Sequence, residues 1–308
     1  MTRLPLSVSR TTGRRPQARR LAAVAAAPLL LVGAACAPTE DVDESATDSS
    51  PESSAAVDPA ECAADAVRTE GTLTIGTDSP AYEPWFTDND PGTGDGFESA
   101  VAYEVADRLG FAVDEVTWVT VPFNTSYKPG PKEFDFDINQ ISITPERAER
   151  VDFSRGYYSA AQAVIALDDS PAADATTVAD LADLRLGAQT GTTSLTAIRD
   201  VIKPDAEVSV FEDTNAAKQA LMNDQVDAIL ADLPTAFYIT AAEIPEATII
   251  GQFQPETGDQ EEFGLLLEKG SPMTACVDAA LAEMEEDGTL ASLEEEWLSE
   301  TVGVPELN

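Results

Sequence analysis

Apolar and polar positions along this chain follow two periods, one typical of strands and one typical of helices. Residues 73–77 form a short apolar run, which predicts a buried strand. Phe97, Val101, Val105 and Leu109 recur at regular intervals and mark one face of a helix. A strand followed by an amphipathic helix is therefore the first unit of a pattern that continues along the chain.

The same succession repeats further on. Strands are predicted near 115–121, 134–141 and 163–167, and the pattern then restarts. The later predicted elements are strand 184–189, helix 193–202, strand 208–211, helix 214–223, strand 226–231, helix 235–242, strand 263–267 and a helical stretch at 272–298. Such alternation predicts an α/β fold in which each lobe has a mostly parallel sheet flanked by helices.

The segment 140–154 joins an apolar strand to a short predicted helix. Thr144 can cap the first backbone N–H groups, and Pro145 suits the first helical position, where no N–H is needed. Arg147 then lies in the first turn, where the helix dipole disfavours a cation, so a nearby anion would explain it. A capped helix whose arginine pairs with a surface glutamate explains the spacing equally well.

The N-terminal residues have the composition of an export signal. Arginines precede an apolar run at 21–32, which is too short for a good membrane span, and small residues then lead to Cys36. The sequence predicts a lipoprotein signal peptide over 1–35 with lipidation of Cys36, and cleavage after the motif 35–37 is the alternative. Residues 36–60 are mostly polar, acidic or small, which predicts a disordered acidic tether.

Charge and composition exclude several classes of protein. The chain has 308 residues, 56 acidic against 18 basic, and a net charge of −38. Such a surface repels phosphates, so nucleic-acid binding is not expected. The acidity suits a solvated, aggregation-resistant surface and an adaptation to salt equally well. Histidine is absent, which excludes histidine-dependent catalytic triads and imidazole zinc sites.

Several separated motifs resemble those of one known family. Residues 142–147 read Ser-Ile-Thr-Pro-Glu-Arg, residues 151–154 read Val-Asp-Phe-Ser, and two tyrosines follow at 157–158. Together they resemble the signature of the polar amino-acid binding proteins of ABC importers, the extracytoplasmic solute-binding proteins of family 3. The resemblance extends over about 71–299.

This resemblance implies a two-lobed, periplasmic-binding-protein-like fold of type II. In that fold the second lobe interrupts the first, so the chain crosses between the lobes twice. We place lobe 1 at 61–160 and 253–308 and lobe 2 at 161–252, with crossings near 158–162 and 250–254. Two such linkers permit hinge closure over a ligand in the cleft.

The resemblance also implies a site for the two charged ends of an amino acid. Arg147 matches the arginine that clamps the α-carboxylate, and Ser142 matches a residue beside it. Thr192 and Thr193 open the following lobe 2 helix, where hydroxyl and N–H groups can receive an anion. Asp232, at the carboxyl end of a lobe 2 strand, matches the aspartate that binds the α-ammonium.

Four more residues are expected to face the side chain of the ligand. Asp78, Tyr82 and Phe123 fall at positions that border this pocket, and Gln140 stands where several relatives carry serine. Asp78 suits a cationic ligand, but an aspartate there also occurs in relatives that bind neutral amino acids. Tyr82 equally suits packing within its own loop. The segment 127–133 has no assigned role.

The cysteines divide into one single residue and one pair. If Cys36 carries lipid, Cys62 and Cys276 remain in an oxidising compartment, each beside a predicted helical segment. We predict a disulfide between them, with two buried free thiols as the alternative.

The implied function is a monomeric binding protein without catalysis, cofactor or metal. Anchored outside the cell membrane by its lipid, it would capture a polar or charged amino acid and deliver it to the ABC permease subunits. The rival is an enzyme on the same fold, a dehydratase acting on cyclohexadienyl or arogenate-like acids. Such an enzyme needs a general acid or base in the cleft.

Overall fold

The computed structural model describes residues 57–254, 261–298 and 303–307. The predicted signal peptide, Cys36 and residues 36–56 of the predicted tether lie outside the described residues. The predicted tether ends earlier than residue 60, because a helix begins at Pro59 with Asp58 accepting from the N–H of Glu61 as its cap.

Ten strands lie within the described ranges, and they form two five-stranded sheets. The strands are β1 Leu73–Thr77, β2 Val116–Thr120, β3 Phe136–Asp137, β4 Asp152–Ala160, β5 Gln162–Leu167, β6 Leu186–Gln189, β7 Ser209–Phe211, β8 Ala228–Asp232, β9 Ala247–Phe253 and β10 Glu261–Leu267.

Nine α-helices flank these sheets in the same ranges. They are α1 Pro59–Ala66, α2 Phe97–Arg108, α3 Phe123–Ser126, α4 Pro145–Ala148, α5 Thr193–Ala197, α6 Thr214–Met222, α7 Leu233–Tyr238, α8 Met273–Glu286 and α9 Thr289–Leu298. Helices α5 and α7 continue as single π-helical turns at Ile198–Ile202 and Ile239–Glu243. None of the helices in the described ranges is long and apolar enough to cross a bilayer.

The two sheets have equivalent strand arrangements. The first has the order β2-β1-β3-β10-β4, and the second has the order β7-β6-β8-β5-β9. This confirms the two-lobed α/β fold, but the sheets are mixed. In each sheet the first three strands of this order pair in parallel. The fourth, β10 or β5, pairs antiparallel with both of its neighbours, the third strand and the fifth.

The first crossing takes place at Ala161, between β4 of lobe 1 and β5 of lobe 2. The second lies between the end of β9 at Phe253 and the start of β10 at Glu261, and residues 255–260 of it lie outside the described residues. Strand β9 continues to Phe253 because it stays paired with β5 as far as the pair of Gln162 and Phe253. Gln162 and Glu261, the first residues of β5 and β10, thus stand at the lobe 2 and lobe 1 sides of the two crossings.

The assignment of 253–308 to lobe 1 is wrong for the last described residues. Gln252 donates its N–H to the carbonyl of Pro305 at 2.8 Å and accepts from the N–H of Leu307 at 2.9 Å. Leu307 is 5 % exposed and lies among the apolar residues of lobe 2. It also covers Gly251, where an added Cβ would stand 2.6 Å from the Leu307 side chain. The chain therefore reaches lobe 2 again after α9.

Alternating side chains of the strands build the cores. In β8, Ile229 belongs to one apolar cluster of lobe 2 and Leu230 to the other, because successive residues point to opposite faces of the sheet. Lobe 1 has a core rich in aromatic rings around Trp85. Its first helix, α1, packs against α8, and a disulfide joins Cys62 to Cys276 between them, with a Cα–Cα distance of 5.4 Å.

Candidate functional site

A polar cavity of about 60 Å³ lies between the lobes. Every predicted ligand-binding residue except Arg147 lines it. The lining residues are Asp78, Tyr82, Phe123, Asn139, Gln140, Ser142, Gln189, Thr192, Thr193, Ser194, Thr214, Leu230, Ala231, Asp232 and Thr235. Both lobes supply side chains, so the cavity depends on the two lobes being held against each other.

Arg147 lies beside this cavity and is 7 % exposed. The local sequence places it there: Thr144 caps α4 by accepting from the Arg147 N–H at 3.2 Å, and Pro145 occupies the first turn. The guanidinium donates from Nη1 to the carbonyl of Ser142 at 2.7 Å and from Nη2 to the carbonyl of Gly191 at 2.8 Å. Because Gly191 belongs to lobe 2, Arg147 bridges the cleft.

Aromatic rings hold the guanidinium in place. Its central carbon lies 4.9 Å from the ring centroid of Tyr127 and 5.6 Å from that of Phe123. Burial lowers the pKa of Arg147, while Tyr127, Glu261 and Asp232 favour its charge. Among the described residues Arg147 forms no ion pair with a surface glutamate, and Glu146 accepts from Arg150 instead at 3.1 Å.

The start of α5 forms one wall. Thr192 caps this helix by accepting from the N–H of Leu195 at 3.1 Å, and its hydroxyl donates to the carbonyl of Gln189. The Thr193 hydroxyl lies 3.3 Å from that of Ser142, across the cleft. Gly191, with a φ of +77°, brings its backbone against Tyr127, whose hydroxyl would lie 2.4 Å from an added Cβ. A side chain at this turn would therefore push the lobes apart.

Asp232 lies at the carboxyl end of β8, directly before α7. Its Oδ1 accepts from Nε2 of Gln162 at 3.1 Å. Burial and the neighbouring Glu261 carboxylate raise the pKa of Asp232 well above its usual range, and the Gln162 hydrogen bond and Arg147 oppose this shift. Asp232 and Arg147 are thus close enough to interact electrostatically, although different lobes supply them.

Glu261 is a site residue that the sequence reasoning missed. Its Oε1 accepts from the Ser142 hydroxyl at 2.5 Å, and its Oε2 accepts from Nε2 of Gln162 at 3.0 Å. It is one of many acids in the chain, and neither periodicity nor motif sets it apart. The available signal was its position just after the second crossing, where a residue at a strand start faces the cleft.

Asp78 also lines the cavity. It accepts from the N–H groups of Ser79 at 2.7 Å and Phe123 at 3.1 Å, while burial and the nearby Asp213 raise its pKa. Its neighbour in the cavity, Tyr82, has Lys218 over its ring at 5.6 Å. The lining therefore combines aromatic surface with a carboxylate.

Comparison with known proteins matches this chain to one family. Residues 73–300 match the bacterial extracellular solute-binding proteins, family 3. The chain belongs to this family. The L-cystine-binding protein TcyJ of Escherichia coli K12 is 29% identical over 240 residues, which cover 77% of this chain and 86% of that protein.

Solved structures agree with the fold. An ancestral arginine-binding protein bound to glutamine superposes with a TM-score of 0.62 at 28% identity, over 75% of this chain and 99% of that one. An ancestral amino-acid-binding protein described as a precursor of cyclohexadienyl dehydratase gives a TM-score of 0.61 at 30% identity, over 74% of this chain and 95% of that one. Both are amino-acid-binding proteins by name.

In this solute-binding protein the buried carboxylate of Glu98 binds both the backbone and the side chain of Gln140. Gln140 has a φ of +47°, which is unusual for a residue with a side chain. Its backbone N–H donates to Glu98 Oε1 at 2.7 Å, and its side-chain amide donates to Glu98 Oε2. The hydroxyl of Tyr157 donates to the same carboxylate. Because Glu98 takes its amide N–H, Gln140 presents less of its polarity to the cavity than the sequence implied.

The lobes also touch at the rim of the cavity. Trp85 donates from Nε1 to the hydroxyl of Thr235 at 2.8 Å, and Asn124 donates from Nδ2 to the carbonyl of Glu212 at 3.4 Å. These contacts join lobe 1 to lobe 2, so the structure has the lobes closed on each other. Within the described part of the chain, no group of His, Cys, Asp or Glu side chains is arranged to hold a metal ion.

Proposed function

We propose that this protein is the receptor of an amino-acid ABC importer and binds a polar or charged amino acid between its lobes. The observation that carries this proposal is that a basic side chain of lobe 1, Arg147, and an acidic side chain of lobe 2, Asp232, lie beside one polar cavity between the lobes. An amino acid presents a carboxylate and an ammonium at a fixed separation, so opposite charges on two lobes suit its two ends.

The carboxylate would bind at Arg147, with the hydroxyl and N–H groups of Thr192 and Thr193 nearby. Two of the N–H donors of Arg147 are taken by carbonyls, and a guanidinium has about five. The ammonium would bind at Asp232. Each charge-assisted hydrogen bond contributes roughly 1.5–3 kcal/mol, so several together suit affinities of about micromolar or better.

The remaining predicted residues receive supporting roles. Ser142 would contact the charged end of the ligand, and Asp78, Tyr82 and Phe123 would border its side chain. Gln140 would contribute mainly backbone surface, because Glu98 holds its amide. Closure on a ligand that both lobes grip would give the permease a distinct surface to recognise.

The cellular context is part of the proposal. Residues 1–35 would direct export, and Cys36 would carry the lipid that anchors a monomeric receptor outside the cell membrane. This is supported by the order of basic, apolar and small residues before Cys36 and by the extracellular family to which the chain belongs.

A thermal-shift screen tests the binding function. The chain from residue 37 onward would be heated with each common L-amino acid and with L-cystine, and stabilisation by one chemical class is expected, because a ligand that binds the native state raises the midpoint. Arg147→Ala should abolish the shift. Arg150→Ala, which alters an exposed arginine next to the same helix, is the matched control and should keep it. Full affinity in Arg147→Ala would remove this residue from its role.

The rival enzyme can be tested on the same sample. A relative in structure is described as a precursor of cyclohexadienyl dehydratase, so arogenate and prephenate would be incubated with the protein and followed by absorbance. We expect no turnover above the uncatalysed rate. Turnover by the intact protein that is lost in Glu98→Gln or Asp232→Asn would instead support the enzyme.

A further inference from the structure

The charges around the cavity do not balance. Arg147 interacts with both Glu261 and Asp232, and Lys218, over the ring of Tyr82, donates to both carboxylate oxygens of Glu243 at 2.7 Å. Lys218 therefore has an acid of its own, whereas Arg147 is shared between two.

The carboxylates therefore outnumber the cations that face them. Asp78 lines the cavity and accepts from backbone N–H groups, and Glu261 accepts from Ser142 and Gln162. All of these donors are neutral. A zwitterionic amino acid adds no net charge to this region, so it leaves the excess of negative charge unchanged.

Glu261 fixes the direction of the hydrogen bonds made by Ser142 and Gln162. A serine hydroxyl has one hydrogen, and that of Ser142 points to Glu261 at 2.5 Å, which leaves its lone pairs for a donor. Gln162 is fully buried, and its single NH₂ group donates to both Asp232 and Glu261. This orients its amide oxygen away from them, and that oxygen has no hydrogen-bond partner within the described part of the chain.

The corner formed by Ser142, Gln162, Asp232 and Glu261 therefore offers acceptors and negative charge, and it favours donors that carry positive charge. Asp78 also lines the cavity and accepts from the N–H of Phe123, so it adds a negative group outside this corner. A ligand in the cavity thus meets negative charge from two separate sets of groups.

We propose that this cleft selects amino acids of net positive charge over neutral ones of the same shape, and that Glu261 is a determinant of that preference. The inference rests on the proposed function, because it names the ligand class of the same site. Arg147 and Asp232 bind the zwitterionic part that all amino acids share. Glu261 and Asp78 supply the negative charge that a further cationic group neutralises, and buried charges interact strongly when water is excluded.

Two ligand pairs test the preference by calorimetry on the chain from residue 37 onward. L-Arginine and L-citrulline have almost the same shape and differ by one charge. L-Norleucine has the carbon chain of L-lysine but lacks its charged terminal amine. We expect the cation of each pair to bind at least about tenfold more tightly. Preference for a neutral member, or tighter binding of L-glutamine or L-cystine than of either cation, overturns the inference and leaves the proposed function standing. If no amino acid binds, both fail.

Two variants test which carboxylate causes the preference for a cationic ligand. Glu261→Gln keeps the shape and should lower the arginine-to-citrulline affinity ratio by about tenfold, while Glu262→Gln, which alters the exposed next residue, should leave it unchanged. Asp78→Asn should lower the ratio as well, and it gives a second measurement if Glu261→Gln does not fold. An unchanged ratio in Glu261→Gln with intact thermal unfolding would remove Glu261 from this role, and an unchanged ratio in both variants would overturn the charge argument.

Discussion

At the scale of single residues, Arg147 is positioned both by neighbours in the chain and by contacts with distant segments. Its position in the first turn of α4 follows from Thr144 and Pro145, which are local signals. Its contacts with Tyr127 and the carbonyl of Gly191 depend on chain segments far away, the latter 44 residues on and in the other lobe. Sequence patterns carry no information on such contacts, so the role of Tyr127 became visible in the structure alone.

Asp232 leads to a prediction about protons. Burial and Glu261 raise its pKa in the folded protein, whereas a bound ammonium would favour its charged form. Binding should therefore release a proton, and affinity should fall as the pH falls through the raised pKa of Asp232. Calorimetry with the best amino acid of the screen, in two buffers of different ionisation enthalpy, measures this release.

Asp232→Asn is the matched variant for that experiment. It should weaken binding and remove the proton release, because the asparagine amide does not titrate. A buffer-dependent enthalpy that persists in this variant would assign the proton to another group, and uptake of a proton by the unaltered protein would contradict the sign of the argument.

At the scale of elements, strongly periodic segments were predicted best. The helix through Phe97 and the strand at Leu73–Thr77 lie where the pattern placed them. Strand β4 was not predicted, because Asp152–Ala160 mixes charged, small and aromatic residues without alternation. The predicted strand at 134–141 shortens to the two residues Phe136–Asp137. The helical stretch at 272–298 divides near Gly288, whose φ of +81° ends a helix.

Glu98 shows how one side chain connects three elements. It lies in the first turn of α2, and it accepts from Gln140 after β3 and from Tyr157 in β4. Burial raises the pKa of Glu98 to about 7 from its ordinary 4.5. The folded state therefore holds this proton more tightly than the unfolded state, so the contribution of Glu98 to stability is present below pH 4.5 and is lost as the pH rises through about 7.

Glu98→Gln should remove this pH dependence, since an amide keeps the shape and stays neutral. We expect the unfolding free energy of the unaltered protein, relative to the variant, to fall by up to about 3 kcal/mol between pH 4.5 and about pH 8. Denaturant titrations at both pH values measure the difference. Asp107→Asn, on the exposed side of the same helix, is the control. If the unfolding free energy depends on pH equally in both variants, the effect does not belong to Glu98.

At the scale of the whole molecule, the resemblance gave the two lobes but not the return of the chain to lobe 2. Family motifs lie in the cleft and its surroundings, whereas the last described residues are short and carry no motif. Leu307 finds a site over Gly251 because that glycine leaves room, and the backbone of Gln252 at the sheet edge offers an N–H and a carbonyl. The last described residues therefore pair with the edge strand of lobe 2 and bury one apolar side chain there.

This return should stabilise the fold through one residue. Leu307 is 5 % exposed in lobe 2, so Leu307→Ala should lower the unfolding free energy by about 2–3 kcal/mol, the low end for a buried leucine. Glu306→Ala, whose side chain is exposed while its backbone stays in the bridge to Gln252, should change it by less than about 0.5 kcal/mol. Denaturant unfolding measures both. Equal losses would mean that the backbone pairing, and not the burial of Leu307, holds this segment against lobe 2.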